Sequence, residues 1–303
     1  MKVHQLIFIL ISCTIFFSCN NKHFDESVEN MNKGELDLLA DESYRSILDE
    51  LVKSYENVYP ESKIHVTYAS ENEVMKAMLS GNSRMIVTGK KLLPAELAKI
   101  EQVNKMKPTV SAVATEAIAI ITSINNPDSV FDFDAFLTNN STHNDENFVN
   151  KQYVFVKGQS SFVNQITGTG TQNPSNMFSL DKEDTIINYV SHNKDAYGFI
   201  SFALISDTDD QKTKDILKKI KVMYVAKTDS TGAKKIYDLS QSSIAANEYP
   251  LQRSITVIRG NMSQSLGTGF VNFMYRSKAS RIFLKAGLIP VVMPGREILI
   301  KEE

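Results

Sequence analysis

The sequence contains no tryptophan and only two cysteines, Cys13 and Cys19, among its 303 residues. Because both cysteines lie within the first 19 positions, no disulfide framework can hold the rest of the chain together. Positive and negative charges are also nearly balanced, since 33 basic and 35 acidic residues leave a formal net charge of −2. A chain balanced in this way lacks the basic surface that binding to nucleic acid requires.

The motifs of common catalytic and metal sites are also absent. The five histidines are scattered without metal-ligand spacing, and no His-Glu-x-x-His sequence occurs. The segment 158–162 comes closest to a Gly-x-Ser-x-Gly nucleophile elbow and fails at its last position. Gly89-Lys90 lacks the spacing and the trailing hydroxyl of a P-loop. We therefore expect no enzyme, no cofactor and no metal, and a hydrolase is the weakest of the alternatives.

Long apolar runs are missing except at the N-terminus. Lys2 precedes an almost wholly apolar stretch at 6–17, and Ser18-Cys19 follows. A basic start, about a dozen apolar residues and a small residue are typical of an export signal, and the stretch is short for a membrane span. The cysteine directly after the small residue predicts a lipoprotein signal, with residues 1–18 removed and Cys19 acylated. A plain cleaved signal with an incidental cysteine is the alternative.

The predicted lipid anchor places the chain in the cell envelope, attached to a bacterial membrane with its folded part extracytoplasmic. That location is the periplasm if the source is Gram-negative. Residues 20–33 are polar with no apolar period, and such a composition predicts a flexible tether. We expect the folded module to begin near Gly34.

From there, short apolar strands alternate with segments of helical periodicity, which predicts parallel β-α-β units. A polar loop is predicted at 138–150. The predicted helices are 41–59, 71–79, 91–103 and a helical region at 266–286. The predicted strands are 35–40, 63–68, 84–88, 112–124, 153–156, 196–200, 221–226 and 254–258.

Hydroxyl residues recur where a predicted strand ends and a helix begins. They are Ser43, Ser70, Thr88, Ser160 and Ser161. Helix N-termini expose unpaired N–H groups and a partial positive charge, so they attract anions without any net positive charge. A single serine at such a point is normally an N-cap. Four such points on two halves of the chain predict a ligand cleft.

Several segments resemble, in the same order, the phosphate-binding components of ABC transporters, which are periplasmic binding proteins of the type II fold. The Tyr-Pro-x-x-Arg sequence at 249–253 is similar to the family's return crossover. Segment 195–200 resembles a Gly-Ala-Ile-Gly-Tyr-Val strand, and 285–291 resembles the family's C-terminal end. The further segments that carry the resemblance are 41–44, Ser70, 84–88, 116–120, 125–127 and 158–162.

This resemblance implies an α/β fold with two lobes, each a mixed sheet flanked by helices, and two hinge crossovers. Lobe 1 would comprise 35–115 plus 255–303, and lobe 2 would comprise 116–254. Inorganic phosphate or a similar oxyanion would bind between the lobes of a monomer, and the closed form would dock on an ABC transporter permease. The residues implied to bind the ligand are Ser43, Tyr44, Ser70, Thr88, Ser160 and Ser161.

The sequence departs from the family at two charged positions. The family places an aspartate after the third strand, where this chain has Gly89 and Lys90, and an arginine near 153–156, where this chain has none. Lys90 and Lys157 are candidates to compensate. Binding of another small oxyanion or polar solute therefore stays open, as does a partner-binding or sensor lipoprotein that kept the fold.

Overall fold

The computed structural model describes residues 30–142, 146–157, 175–260 and 265–295. Three residues singled out from the sequence, Cys19, Ser160 and Ser161, lie outside the described residues, as does the predicted signal segment. Across the described ranges, no helix has the length and apolar character needed to cross a membrane.

Thirteen strands and ten helices make up the described ranges. The strands are β1 Gly34–Asp41, β2 Ser62–Ala69, β3 Met85–Thr88, β4 Thr109–Ser123, β5 Val130–Asp132, β6 Gln152–Val156, β7 Met177–Leu180, β8 Ala196–Ser201, β9 Ile220–Val222, β10 Tyr224–Thr228, β11 Lys234–Tyr237, β12 Gln252–Arg259 and β13 Ile289–Pro290. The helices are α1 Arg45–Val58, α2 Glu71–Ser80, α3 Pro94–Asn104, α4 Phe133–Thr142, α5 Glu146–Val149, α6 Glu183–His192, α7 Gln211–Leu217, α8 Gln241–Ala245, α9 Leu266–Met274 and α10 Ser277–Lys285. Two short 3-10 turns occur at Glu42–Tyr44 and Phe202–Leu204.

The long strand β4 joins two groups of strands. Strands β1, β2 and β3 are parallel, and β12 lies antiparallel between β3 and β4. The second half of β4 pairs antiparallel with β8, which continues in parallel to β6 and β7. The resulting order is β2-β1-β3-β12-β4-β8-β6-β7, and β11-β10-β5 form a separate three-stranded sheet.

The hydrophobic cores change where the chain crosses between these groups. Two clusters draw their buried residues from positions 38–114 and 255–288, and the other two draw theirs from positions 117–251. The chain therefore leaves the first pair of cores near residue 116 and returns near residue 253. The division into lobes at 115 and 255 stays a prediction.

Local sequence explains where several elements begin and end. Ser70 and Glu73 form a reciprocal capping box at the start of α2, and Gly81 ends that helix with a φ of 79°. Pro94 occupies the first turn of α3, where its missing N–H costs nothing. The strands and helices predicted from residue 35 onward are present, with ends shifted by a few residues.

The polar loop predicted at 138–150 is wrong over much of its length, because α4 and α5 lie there. Phe136 and Phe148 bury their rings against Tyr153, with ring centroids 4.8 and 5.0 Å away. This aromatic packing outweighs the helix-breaking tendency of the surrounding Asn, Ser and Thr residues.

Two further boundaries differ from the predictions. The strand predicted at 221–226 splits at Met223, whose N–H donates to the carbonyl of Ile120. The folded part also begins before Gly34, since Asn30 and Lys33 form a bridge and Met31 accepts a hydrogen bond from Tyr55.

Candidate functional site

A buried ion pair lies where the chain crosses between the two groups of strands. Arg253 Nε donates to Glu116 Oε1 at 2.5 Å, and the two side chains are only 4% and 1% exposed. Tyr44 donates its hydroxyl to the same oxygen at 2.6 Å, and Ser201 Oγ donates to Glu116 Oε2 at 3.1 Å. The carboxylate of Glu116 is thus held by three donors from three distant parts of the chain.

The protonation states of Tyr44 and Arg253 follow from this environment. Burial raises the pKa of Tyr44 well above its ordinary value, so the phenol stays neutral and donates a hydrogen bond to Glu116. Burial alone would lower the pKa of Arg253. Glu116 and the neighbouring acidic groups raise this pKa by more than burial lowers it, so the net shift is upward. Arg253 is therefore a permanent cation inside the protein.

Gly89 lies directly against Tyr44 and Arg253. A Cβ atom at this position would overlap the Tyr44 hydroxyl and approach Arg253 Cδ and Cζ to 3.1 and 3.2 Å. Tyr44 and Arg253 fill the space into which a side chain at 89 would extend.

Asp41 ends β1 at the same edge of the sheet. Its Oδ1 accepts the backbone N–H of Ser43 at 3.0 Å and the Ser43 hydroxyl at 2.9 Å, so it caps the 3-10 turn. The side chain is buried, with 3% of the residue exposed. Burial raises the pKa of Asp41, and the positive charge of Arg253 partly offsets that rise.

Three buried polar atoms at this edge have no hydrogen-bond partner in the described part of the chain. They are Nη1 and Nη2 of Arg253 and Oδ2 of Asp41. The positive charge of Arg253 lowers the pKa of Asp41, and the negative charge of Asp41 raises the pKa of Arg253. Buried donors and acceptors are normally paired, because each one left unpaired costs about 1–3 kcal/mol. These atoms are two hydrogen-bond donors and one acceptor.

The structure separates the predicted binding residues into two groups. Ser43, Tyr44 and Thr88 lie at the edge that also carries Arg253, with Ser43 bonded to Asp41 and Tyr44 to Glu116. The Thr88 hydroxyl is buried and accepts the N–H of Lys90 at 3.1 Å. Ser70 instead caps its own helix, with its hydroxyl 2.6 Å from Glu73 Oε2.

The two lysines considered as replacements for the family's charges both pair with carboxylates. Lys90 Nζ lies 2.6 Å from Glu96 Oε1 in the same segment. Lys157 Nζ lies 3.3 Å from Asp181 Oδ1, and both of these side chains are largely exposed. The positive charge at the buried edge of the sheet comes from Arg253.

The residues that the sequence interpretation missed are the buried charges. The sequence interpretation named Arg253 only as part of the crossover sequence, although the two terminal nitrogens of its guanidinium have no hydrogen-bond partner in the described ranges. A signal for Glu116 was present, because it is the single charge within the apolar run at 112–124. Glu183 is a half-buried residue whose Oε1 accepts the N–H of Ser201 at 2.6 Å. Burial raises the pKa of Glu183 to about 7.

No metal centre is indicated at this position. Within the described ranges, no group of three or more His, Cys, Asp or Glu side chains is placed to hold a metal ion.

Two groups of strands joined by paired crossovers, with unpartnered polar groups at the junction, define a two-part binding protein. A family model described as "PBP superfamily domain" matches residues 26–278. The chain belongs to this superfamily, that of the periplasmic binding proteins.

Solved structures similar to this chain include proteins described as components of phosphate ABC transport. One is described as a phosphate ABC transporter substrate-binding protein with bound phosphate from Clostridium perfringens, with a TM-score of 0.65, 16% identity, and coverage of 85% of this chain and 100% of that chain. Another is an ABC-type phosphate transport receptor from Vibrio cholerae, with a TM-score of 0.64, 18% identity, and coverage of 85% and 100%. A third is PstS from Borrelia burgdorferi, with a TM-score of 0.56, 16% identity, and coverage of 85% and 99%.

At these identities the likeness establishes the fold. It confirms the type II periplasmic-binding-protein fold that the sequence resemblance implied. A sequence comparison with curated proteins finds no match.

Proposed function

We propose that this chain is the extracytoplasmic substrate-binding lipoprotein of an ABC transporter and that it binds phosphate between two lobes. The observation that carries the proposal is the buried guanidinium of Arg253, whose two terminal nitrogens have no partner among the described residues. A guanidinium presents two parallel N–H donors that match two oxygens of a phosphate or carboxylate. Two solved structures of the same fold are described as phosphate transport proteins, and one of them has phosphate bound.

Arg253 takes over the role that the sequence resemblance gave to an arginine of the second lobe. Glu116 accepts the Nε–H of Arg253, which orients the guanidinium and leaves its two outer nitrogens for the ligand. Tyr44 donates to Glu116 and so does not itself supply a hydroxyl to the ligand in this arrangement. The proposed partners from the other lobe are Ser160 and Ser161.

Binding would favour the closed arrangement of the lobes, because only there do both lobes contact the ligand. In the proposed cycle, acylated Cys19 holds the protein at the membrane and the closed, liganded form docks on the permease. The monomer suffices for this cycle.

A second candidate is the binding of another small oxyanion or polar solute. Asp41, Glu71 and Glu116 are buried near the buried Arg253 and Glu183 is half-buried, and the charges of these groups influence one another and Arg253. This acidic surrounding disfavours an ion of high negative charge. It favours a ligand that has at least one hydrogen-bond donor besides its anionic oxygens.

Isothermal titration calorimetry tests the proposed function. Every contact described above lies within residues 30–295, so a chain that begins at Asn20 keeps the whole fold. This protein is unfolded and refolded to remove bound ligand and is then titrated with phosphate. We expect a dissociation constant of about 1 µM or tighter, which corresponds to about −8 kcal/mol. Absence of heat with phosphate contradicts the proposal and directs the search to other solutes or to a protein partner.

A further inference from the structure

A cavity of about 140 Å³ lies among residues of β5, α4, α5, β6 and β8. Five of its ten lining residues are buried aromatic side chains, namely Phe131, Phe136, Phe148, Tyr153 and Tyr197. An apolar cavity of about 150 Å³ is large enough to bind benzene. The cavity therefore has room for one six-membered ring.

The aromatic side chains around this cavity present both ring faces and ring edges to one another. Phe131 lies edge-on to Tyr197 with 5.3 Å between the ring centroids, and Phe136 lies edge-on to Tyr153 at 4.8 Å. Phe148 stacks on Tyr153 at 5.0 Å. Aromatic rings favour such edge-to-face and offset arrangements. A flat ring bound in the cavity would extend this packing.

Two lining residues are partly exposed, so the cavity opens to solvent, and one of them is a cation. Val130 is 40% exposed, and 36% of the Lys151 side chain is exposed. Lys151 Nζ lies 5.3 Å from the centre of the Tyr197 ring and 3.5 Å from Asp128 Oδ2. The second distance exceeds the usual hydrogen-bond range of about 2.7–3.2 Å. Because an ammonium has three N–H donors, Lys151 can still bind an anionic group at the cavity mouth.

Asp132 is the other charged residue that lines the cavity, and its charge is already balanced. Its Oδ1 accepts the N–H of Ala135 at 3.1 Å, and Lys234 Nζ donates to its Oδ2. Lys151 is thus the charge that acts on a ligand in this cavity. It attracts an anionic group and repels a cationic one.

The cavity is separate from the candidate site at Arg253. Tyr197 is the second residue of β8 and pairs with Thr122 of β4. Ser201 is the last residue of the same strand, and it donates to Glu116 of the candidate site. The four residues of strand between them span about 13 Å. A ligand in the cavity would therefore leave the Arg253 edge free.

We propose that this cavity is a second ligand site, which binds a small aromatic carboxylate with its ring among the five aromatic side chains and its carboxylate on Lys151. The inference goes beyond the proposed function, because the site involves neither phosphate nor Arg253.

Isothermal titration calorimetry with benzoate tests this site on the chain that begins at Asn20. Benzoate carries both the ring and the carboxylate, whereas benzamide keeps the ring without the charge and acetate keeps the charge without the ring. We expect a dissociation constant for benzoate of about 1 mM or tighter. Benzamide should bind about tenfold more weakly, and acetate should give no measurable heat.

Two variants locate the binding. Lys151→Met should weaken benzoate binding about tenfold and leave benzamide binding unchanged, because only the charge is lost. Lys218→Met removes an exposed lysine that also pairs with an aspartate, and it is the matched control. Ala135→Leu adds three carbons to the cavity wall and should abolish benzoate binding. Ala98→Leu, an exposed change on α3, is its control, and thermal unfolding checks that both variants fold.

The outcomes separate this inference from the proposed function. A wild type that does not bind benzoate overturns the inference, as does a folded Lys151→Met or Ala135→Leu with unchanged benzoate affinity. Binding of tetramethylammonium in place of benzoate would show a cation site and overturn the ligand class. Displacement of benzoate by phosphate would place both in one cleft and overturn the separate site. A wild type that binds benzoate but no phosphate contradicts the proposed function and supports the second site.

Discussion

Arg253 and Glu116 are direct cross-strand partners of β12 and β4, and their side chains form the buried ion pair of the crossover. The two residues are 137 positions apart in the sequence. One lies where the chain leaves the first pair of cores, and the other lies where it returns. The pair therefore joins the two crossovers.

Removing Glu116 should destabilise the whole fold. Glu116→Ala leaves the Arg253 cation buried without its partner, and breaking a buried ion pair in this way costs about 3–5 kcal/mol. Urea unfolding followed by circular dichroism measures the loss in the free energy of unfolding. Glu50→Ala, an exposed change on α1, should stay within about 0.5 kcal/mol of the wild type. Equal stability of the two variants would show that the ion pair contributes nothing.

Gly89→Ala should lower stability because the added Cβ overlaps the Tyr44 hydroxyl. The expected cost is about 1–3 kcal/mol, as for other overpacked interiors. Tyr44→Phe removes that hydroxyl, so the double variant should lose less than the sum of the two single variants. Gly295→Ala, whose Cβ would meet nothing within 4 Å, is the control. Strictly additive losses would contradict the proposed steric conflict.

Stability should depend on pH through Glu183. Burial raises the pKa of this carboxyl from 4.5 to about 7, so between these values the folded state holds a proton that the unfolded state has released. Its contribution to the free energy of unfolding therefore falls as pH rises from about 4.5 to 7, by at most about 3 kcal/mol.

Glu183→Gln isolates this effect, because the amide oxygen can still accept the N–H of Ser201. Urea unfolding at a series of pH values from 5 to 8 compares the variant with the wild type. We expect the variant to gain stability relative to the wild type as pH rises. A difference that stays constant across this range would show that Glu183 titrates normally.

Gly269→Ala should release the chain segment that precedes β1. A Cβ at this position would collide with the carbonyl of Met31 and approach Tyr55 Oη to 2.6 Å. The hydrogen bond from Tyr55 to Met31 would then break. Limited proteolysis with mass spectrometry should show faster cleavage near residue 31, with protection of the strands unchanged. Cleavage at the wild-type rate would show that the segment adjusts without leaving its place.

Acylation of Cys19 should be detectable in a bacterial host. Wild-type protein should partition into detergent, and its N-terminal peptide should carry the added mass of the lipid. Cys19→Ser should abolish both, because the hydroxyl does not replace the thiol in lipid attachment. A wild-type protein released with an unmodified thiol would support the plain signal peptide.

The local sequence determined most of the secondary structure of this protein. Alternating and helical periodicities located the main strands and helices because each reports which face of a short segment is buried. Some helix ends depend only on residues a few positions away. Examples are the capping box of Ser70 and Glu73, Pro94 at the start of α3, and Gly287 with its φ of 77°. Such features can be predicted from the sequence, because the atoms that interact are neighbours along the chain.

Only the tertiary structure decided which residues come together at the candidate site. No local pattern pairs Arg253 with Glu116, brings Asp41 to the same edge, or shows that Gly89 has no room for a side chain. The same limit explains the error at 138–150, where Phe136 and Phe148 fold a polar stretch into helices by packing on Tyr153. Burial converts these groups from solvated side chains into a coupled set of charges, and only the folded chain determines which groups are buried together.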